Sequence, residues 1–258
     1  MPALALVGNL SRDLVDGRTQ RIGGAPYYAA RAWRALGSRA TIVTRCGPDE
    51  RVAYVRSLSS LGLPVVVLPG TATTAFSFYY DGDVRVMTVE QPGDAWQAED
   101  ANAVEAGAWV HVAPLLRSDF PVDTLSALAR GRTLSLDGQG LVRAAERGPL
   151  RLDADFDPAM LEHIRILKLA EEEADVIGAV DRLGVPEVLV TYGPRGSCVY
   201  YEGRSEEIGA WPVAADPTGS GDAFSAAYLA GRSKGLNPVS AARRATAVVS
   251  ALLNGGAI

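Results

Sequence analysis

The chain has 258 residues, 48% of them hydrophobic and 21% charged, with a formal net charge of −5 at neutral pH. This is the balance of an ordinary soluble globule. The absence of a basic run argues against nucleic-acid backbone as the main partner, and no segment reaches the ~18 consecutive apolar residues of a membrane span.

The first residues, Met1–Val7, lack the basic region and cleavage pattern of a secretion signal and read as a buried strand over Ala3–Gly8. Residues Leu10–Arg21 are polar and without helical period, and a helix is predicted over Tyr27–Leu36. Strand Ala40–Arg45, helix Asp49–Leu61 and strand Val65–Leu68 follow. Thr73–Glu90 reads as a hairpin, because Asp81-Gly82 separates two β-rich arms and such a dipeptide suits the tight turn. Beyond it, strands Trp109–Val112, Thr133–Asp137, Ile164–Leu167 and Val188–Thr191 alternate with helices Val122–Arg130, Glu171–Arg182, Gly221–Lys234 and Pro238–Leu253. The strands are Val/Leu/Ala-rich rather than alternating, as expected where both faces are covered. This rhythm predicts an α/β, three-layer α/β/α domain of parallel strands and crossover helices spanning 1–258. The segments near 10–22 and 73–90 break the rhythm and are expected to form a small β-flap, a lid over a crevice. An edge hairpin with no moving role is the competing account.

Cys46 and Cys198 lie far apart in apolar runs, which suits small buried hydrophobes and a reducing cytoplasm. His111 and His163 stand alone, and no His/Cys/carboxylate spacing marks a metal site.

The most informative stretch is Ala215–Phe224, ADPTGSGDAF. Gly219 and Gly221 permit a tight turn and a close approach of the backbone to a ligand. A helix follows at once, and its free N–H groups and dipole favour an anion. Asp222, in the first helical turn, is placed to take a proton from an attacking hydroxyl. The local chemistry therefore suggests phosphoryl transfer from a nucleotide to an alcohol. A plain helix start with a dipole-favoured aspartate is the alternative.

Taken in order, Gly23-Gly24-Ala25-Pro26-Tyr27-Tyr28-Ala29, Thr191-Tyr192-Gly193-Pro194-Arg195-Gly196 and Asp216–Asp222 resemble the signatures of the ribokinase-like (PfkB) carbohydrate kinases along nearly the whole chain. The resemblance implies the ribokinase-like fold and an ATP- and Mg2+-dependent transfer to a hydroxyl of a small sugar, cyclitol or nucleoside. It implies Asp222 as catalytic base, with Gly219, Ser220 and Gly221 supplying an anion hole. On the acceptor side it implies Asp13, with Asn9 beside it, and the close-approach glycines Gly23 and Gly24. On the nucleotide side it implies Lys168, Thr191, Gly193 and Gly196, with Ala245, Val248 and Val249 walling the adenine. Core packing is the competing account for those last three. Gln139 and Arg143, after the strand ending at Asp137, fit the acceptor or phosphate pocket of the branch that includes inositol and nucleoside kinases; a surface pair between Arg143 and Asp137 is the alternative.

Three departures stand out. Tyr28 replaces an asparagine on the acceptor side. Ala170 replaces the asparagine of a magnesium-linked Asn-x-x-Glu motif while Glu173 keeps the glutamate, and Pro217 removes one N–H from the C-terminal signature. They motivate the alternative of a catalytically weakened nucleotide- or metabolite-binding regulator. A homodimer through the lid is expected from its exposed strand edge.

Overall fold

The computed structural model describes residues 3–82, 84–211, 213 and 218–255. Asp216 and Pro217 of the C-terminal signature lie outside the described residues.

The elements are, in chain order, β1 (Leu4–Asn9), β2 (Ser11–Val15), β3 (Thr19–Gly23), α1 (Ala25–Ala35), β4 (Ala40–Cys46), α2 (Pro48–Ser59), β5 (Val65–Pro69), β6 (Thr74–Asp81) and β7 (Val84–Gln91). They continue with β8 (Trp109–Val112), α3 (Val122–Ala129), β9 (Thr133–Asp137), α4 (Gln139–Val142), β10 (Gly148–Pro149), β11 (Ile166–Ala170), α5 (Glu171–Ile177), β12 (Glu187–Thr191), β13 (Ser197–Tyr201), β14 (Arg204–Ile208), α6 (Ser220–Ser233) and α7 (Pro238–Leu253). Among the described residues, no helix is long and apolar enough to cross a membrane.

Nine strands form the main sheet in the order β14-β13-β12-β11-β9-β8-β1-β4-β5. From β12 to β5 all pairings are parallel. Alternation along β1 shows why two helical layers are needed. Leu4 and Leu6 pack toward α1, α6 and α7, while Ala5 and Val7 join the opposite core with Leu125 and Leu128 of α3. In α1, Trp33 is fully buried and its indole N–H donates to the Ala226 carbonyl of α6 at 2.7 Å.

The expectation of a purely parallel sheet is corrected at one edge. β13 and β14 add an antiparallel hairpin, turned at Glu202 (φ 49°) and Gly203. The helix predicted over 171–182 ends at Ile177, because Gly178 takes φ 84° and cannot continue it. His111 is buried in the sheet against Ser135 Oγ at 3.2 Å, and burial lowers its pKa to about 4, so the ring stays neutral. Both cysteines are free and buried.

The segments expected to form a lid build a second sheet, ordered β10-β7-β6-β2-β3. β2 and β3 pair antiparallel, β2 and β6 parallel, and β6 and β7 make the predicted hairpin. Ser11, Asp13 and Val15 share the inner face of β2, while Leu14 points out and is 38% exposed. In the main sheet the strand order reverses on either side of β1, with β4 to one side and β8 to the other. Such a switch point opens a crevice at the carboxyl ends of the strands, and the second sheet stands over it.

Candidate active site

Three spaces meet at the start of α6. Gly219 caps the helix in the left-handed conformation, φ 79° and ψ 4°. The Ala223 N–H closes the first turn on the Gly219 carbonyl at 3.0 Å, so the N–H groups of Ser220, Gly221 and Asp222 have no intrahelical acceptor. Free N–H groups and the helix dipole at such an end favour an anion.

The first space is polar, about 180 Å3, and faces the lid. Asp222, Gly219 and Gly221 form its floor; Asp137 comes from the end of β9, Gln139 from the start of α4, Lys168 from β11 and Glu173 from α5. Asp13 and Phe76 enter from the second sheet, and Arg143 and Tyr28 complete the wall. Asp137, Lys168 and Glu173 are buried. The Lys168 ammonium lies 3.4 Å from Asp137 Oδ2, so Asp137 pairs with Lys168 rather than with Arg143. Burial opposes the charge on Lys168, but the carboxylates of Asp137, Glu173 and Asp222 outweigh it and push the lysine pKa upward.

Asp222 is the poised acid. Burial first, and then the negative charge of Asp137, raise its pKa to about 7, against the pull of Lys168 and Arg143. A carboxyl at that value exchanges a proton near neutral pH, as a general base must. Burial likewise raises the pKa of Glu173, against the pull of Lys168. One Glu173 oxygen accepts the Ala170 N–H at 2.8 Å. Among the described residues, no cluster of three or more His, Cys, Asp or Glu suited to a metal exists. Glu173 lines the cavity as one carboxylate, which fits an outer contact to a magnesium ion carried on donor phosphates and surrounded by its own water.

The second space, about 270 Å3, is mostly apolar and lies behind Ser220 and Gly221. Thr191, Gly193 and Gly196 form one wall, and Thr246, Val249 and Leu253 of α7 the other. Gly196 has φ 104°, and a Cβ there would fall on the Ile208 carbonyl, so only glycine closes this turn. Trp211 stands at the mouth, 66% exposed. The third space is a groove of about 370 Å3 outside Tyr28, between Arg21, Arg31 and Leu252.

Three predicted residues are placed elsewhere. Asn9 is buried behind the crevice: its Nδ2 donates to the Asp94 carbonyl at 3.2 Å, and its Oδ1 accepts the Trp96 indole N–H at 2.8 Å. Its amide holds the 94–96 loop and does not line the polar cavity. Ala245 is fully buried in the core with Ala241 and Tyr228. The competing account of core packing holds for it and for the buried Val248, whereas Val249 lines the apolar cavity. The two N-terminal glycines act on the backbone. A Cβ on Gly23 would fall on Asp13 and Ser11 side chains, and one on Gly24 would sit 2.7 Å from the Asn9 carbonyl. Ser11 Oγ donates to Asp13 Oδ1 at 2.7 Å, orienting the carboxylate.

The model of the pfkB family of carbohydrate kinases matches residues 7–255. The chain belongs to the PfkB family. The inositol 3-kinase of rice (Oryza sativa subsp. japonica) is 27% identical, over 92% of the PfkB chain and 64% of the rice protein. The PfkB chain thus spans somewhat less than two thirds of that relative. The cytidine kinase of Thermococcus kodakarensis is 28% identical over 90% of the chain and 89% of its own length. Among solved structures, a pyrophosphate-dependent kinase of the ribokinase family, complexed with a pyrophosphate analogue and myo-inositol, superposes with a TM-score of 0.86. It is 25% identical, covering 99% of this chain and 97% of that one. The PfkB fold here is the ribokinase-like α/β architecture.

Sequence reasoning missed Trp211, Thr246 and Ser250 on the apolar cavity. A lone tryptophan between Ala210 and Pro212, in a stretch with no helical or strand period, was the available signal for the first. The other two sit on one face of α7 among alanines and valines, where nothing in their spacing separates lining from packing.

Proposed function

We propose that this chain transfers the terminal phosphoryl group of ATP to a hydroxyl of a small sugar, cyclitol or nucleoside. The observation that carries the reading is Asp222, a carboxyl held near neutrality inside a polar cavity, at a helix start whose amides are free. The acceptor lies in the polar cavity, where Asp13 and Gln139 accept and donate hydrogen bonds to its hydroxyls. Asp222 removes the proton from the attacking oxygen. That oxygen bonds to phosphorus as the bond to the departing diphosphate breaks, and the amides of 219–221 with Lys168 stabilise the negative charge. Positioning of two reactants on either side of Gly221 supplies much of the rest. Glu173 is the residue that would face a magnesium ion, which would supply partial neutralisation of the phosphate charge.

The apolar cavity between the 191–196 turn and α7 supports a nucleobase-bearing donor over pyrophosphate, because a bare diphosphate gains nothing from its apolar walls. The outer face of the second sheet, where Leu14 and Tyr79 are exposed, supports pairing with a second copy; light scattering on eluted protein checks it, and a monomer at all concentrations refutes it.

The deciding experiment incubates the purified protein with Mg2+, either ATP or pyrophosphate, and a panel of myo-inositol, fructose and cytidine, and follows product by phosphorus NMR. Phosphorylated acceptor formed with ATP supports the reading. Product with pyrophosphate alone overturns the donor assignment, and none with either donor favours the regulator.

A further inference from the structure

The polar cavity and the outer groove share three residues in their walls, Tyr28, Thr218 and Gly219. Tyr28 is the one large side chain of the three, and it is the residue that departs from the asparagine of the family pattern. Its ring is fixed from two sides. A Cβ on Gly219 would fall among its Cβ, Cγ and Cδ1 atoms, so the ring occupies the space that glycine leaves free. Tyr27 braces it edge-on, with centroids 5.3 Å apart and planes at 80°. Burial, and then the negative charges of Asp13 and Asp222, raise the pKa of the phenol, so it remains a neutral hydrogen-bond donor beside both acids.

The cavity that the ring lines is small. Its 180 Å3 makes it the smallest of the three spaces at the start of α6, against 270 Å3 for the apolar cavity and 370 Å3 for the outer groove. The groove beyond is larger and carries Arg21, Arg31 and the apolar edge of Leu252, surroundings that would suit a planar polar ring.

We infer that Tyr28 is the acceptor-size determinant: its ring partitions the two spaces, admits a single polyhydroxylated ring and excludes acceptors bearing a second ring, such as nucleosides. The inference rests on the kinase reading above and narrows its acceptor to cyclitols and sugars. Removing the ring would join cavity and groove while leaving Asp13, Lys168 and Asp222 in place.

The test compares the intact protein with Tyr28→Phe, Tyr28→Leu and Tyr28→Asn, using ATP and Mg2+ with myo-inositol, fructose, cytidine and inosine. The native protein is expected to favour the single-ring acceptors in kcat/KM by about a hundredfold, and Tyr28→Phe to keep that ratio within about threefold. Tyr28→Leu and Tyr28→Asn are expected to raise nucleoside kcat/KM at least about tenfold and to lower that for the single-ring acceptors. Thermal-shift titration with the same compounds reads the partition without turnover, and circular dichroism confirms that each variant folds. A native protein that uses nucleosides as well as polyols overturns the inference, as does a folded Tyr28→Asn or Tyr28→Leu with an unchanged acceptor ratio. Failure of every protein to phosphorylate any acceptor would instead sink the kinase reading. In that case, native binding of single rings and of nucleosides with equal shifts would refute the partition as well.

Discussion

Asp222→Asn exchanges one oxygen for an amide of nearly equal volume, so packing is kept while the proton chemistry is lost. The carboxyl stands at about 7 against an ordinary 3.8. A shift of roughly 3 units corresponds to at most ~4 kcal/mol at about 1.36 kcal/mol per unit. Asp222 is only partly buried, and solvent screening reduces that to about 1–2 kcal/mol. A carboxyl raised on folding holds its proton more tightly folded than unfolded. Its contribution to stability is therefore present below pH ~4 and is lost as pH rises through about 7. Asparagine carries no such penalty, so the variant should melt roughly 2–8 °C higher than the native protein at pH 8 and close to it at pH 4. Turnover should fall by about 10²–10⁴-fold, the usual share of a general base, while the nucleotide still binds. Scanning calorimetry at the two pH values and a coupled assay of ADP release provide both readings. A variant that keeps more than about a tenth of native kcat, or melts no higher at pH 8, refutes the assignment of Asp222 as a desolvated base.

In the free enzyme, kcat/KM should rise with pH through about 7 as Asp222 deprotonates, a limb read directly from a pH–rate profile. Lys168→Met removes the cation that holds Asp222 down, so this limb should move to higher pH by about one unit or more; an unmoved limb would separate lysine from base. Glu187 is buried and accepts from Tyr228 Oη at 2.7 Å and from Arg232 Nε at 2.8 Å. Glu187→Ala strands those donors between β12 and α6 and should cost about 3–5 kcal/mol in urea unfolding, with a loss under about 1 kcal/mol counting against the network. Gly196→Ala places a Cβ on the Ile208 carbonyl and should destabilise by roughly 1–3 kcal/mol while raising the KM for ATP more than that for the acceptor; equal effects on both would deny this turn a role in the donor cavity.

The βα rhythm was legible because strands such as Leu134 and Leu136 with their neighbours are buried on both faces and read as apolar runs. The β6–β7 hairpin was legible from Asp81-Gly82. The β13–β14 hairpin was not. β14 reads Arg-Ser-Glu-Glu-Ile with four exposed residues, and an edge strand facing water shows no apolar signature. β2 was expected only as part of the flap and not as a strand of its own, since its inward residues include the polar Ser11 and Asp13. At the site, Asp222, Gly219 and Gly221 stood out through the glycine-rich helix start, and Lys168 and Glu173 only through the family resemblance; the fold brings all five to one polar cavity. Asn9 misled because a polar residue at a strand's carboxyl end serves a ligand or a loop equally well, and its bond to Trp96 lies 87 residues away in sequence. Ala245 misled because small apolar residues on a helix face carry no mark of which cavity, if any, they border.

The joints of the second sheet carry a mechanical consequence. One residue, Leu10, separates β1 from β2, and one residue, Gly24, separates β3 from α1. Leu10 is fully buried and its N–H is tied to the Arg45 carbonyl at 3.1 Å; Gly24 turns at φ 94° against the Asn9 carbonyl. The β2–β3 arm is therefore a short lever pinned at adjacent pivots, and the 70–73 and 92–97 connections to the other arm are cross-tied as well, Thr71 Oγ1 donating to Asp94 Oδ1 at 2.6 Å and Asn9 Nδ2 to the Asp94 carbonyl at 3.2 Å. Any rocking of this canopy swings Asp13 along an arc through the crevice while Asp222 stays bolted to the body. The torsional stiffness of two backbone positions, neither of which needs to touch the reactants, would then govern how fast the molecule cycles.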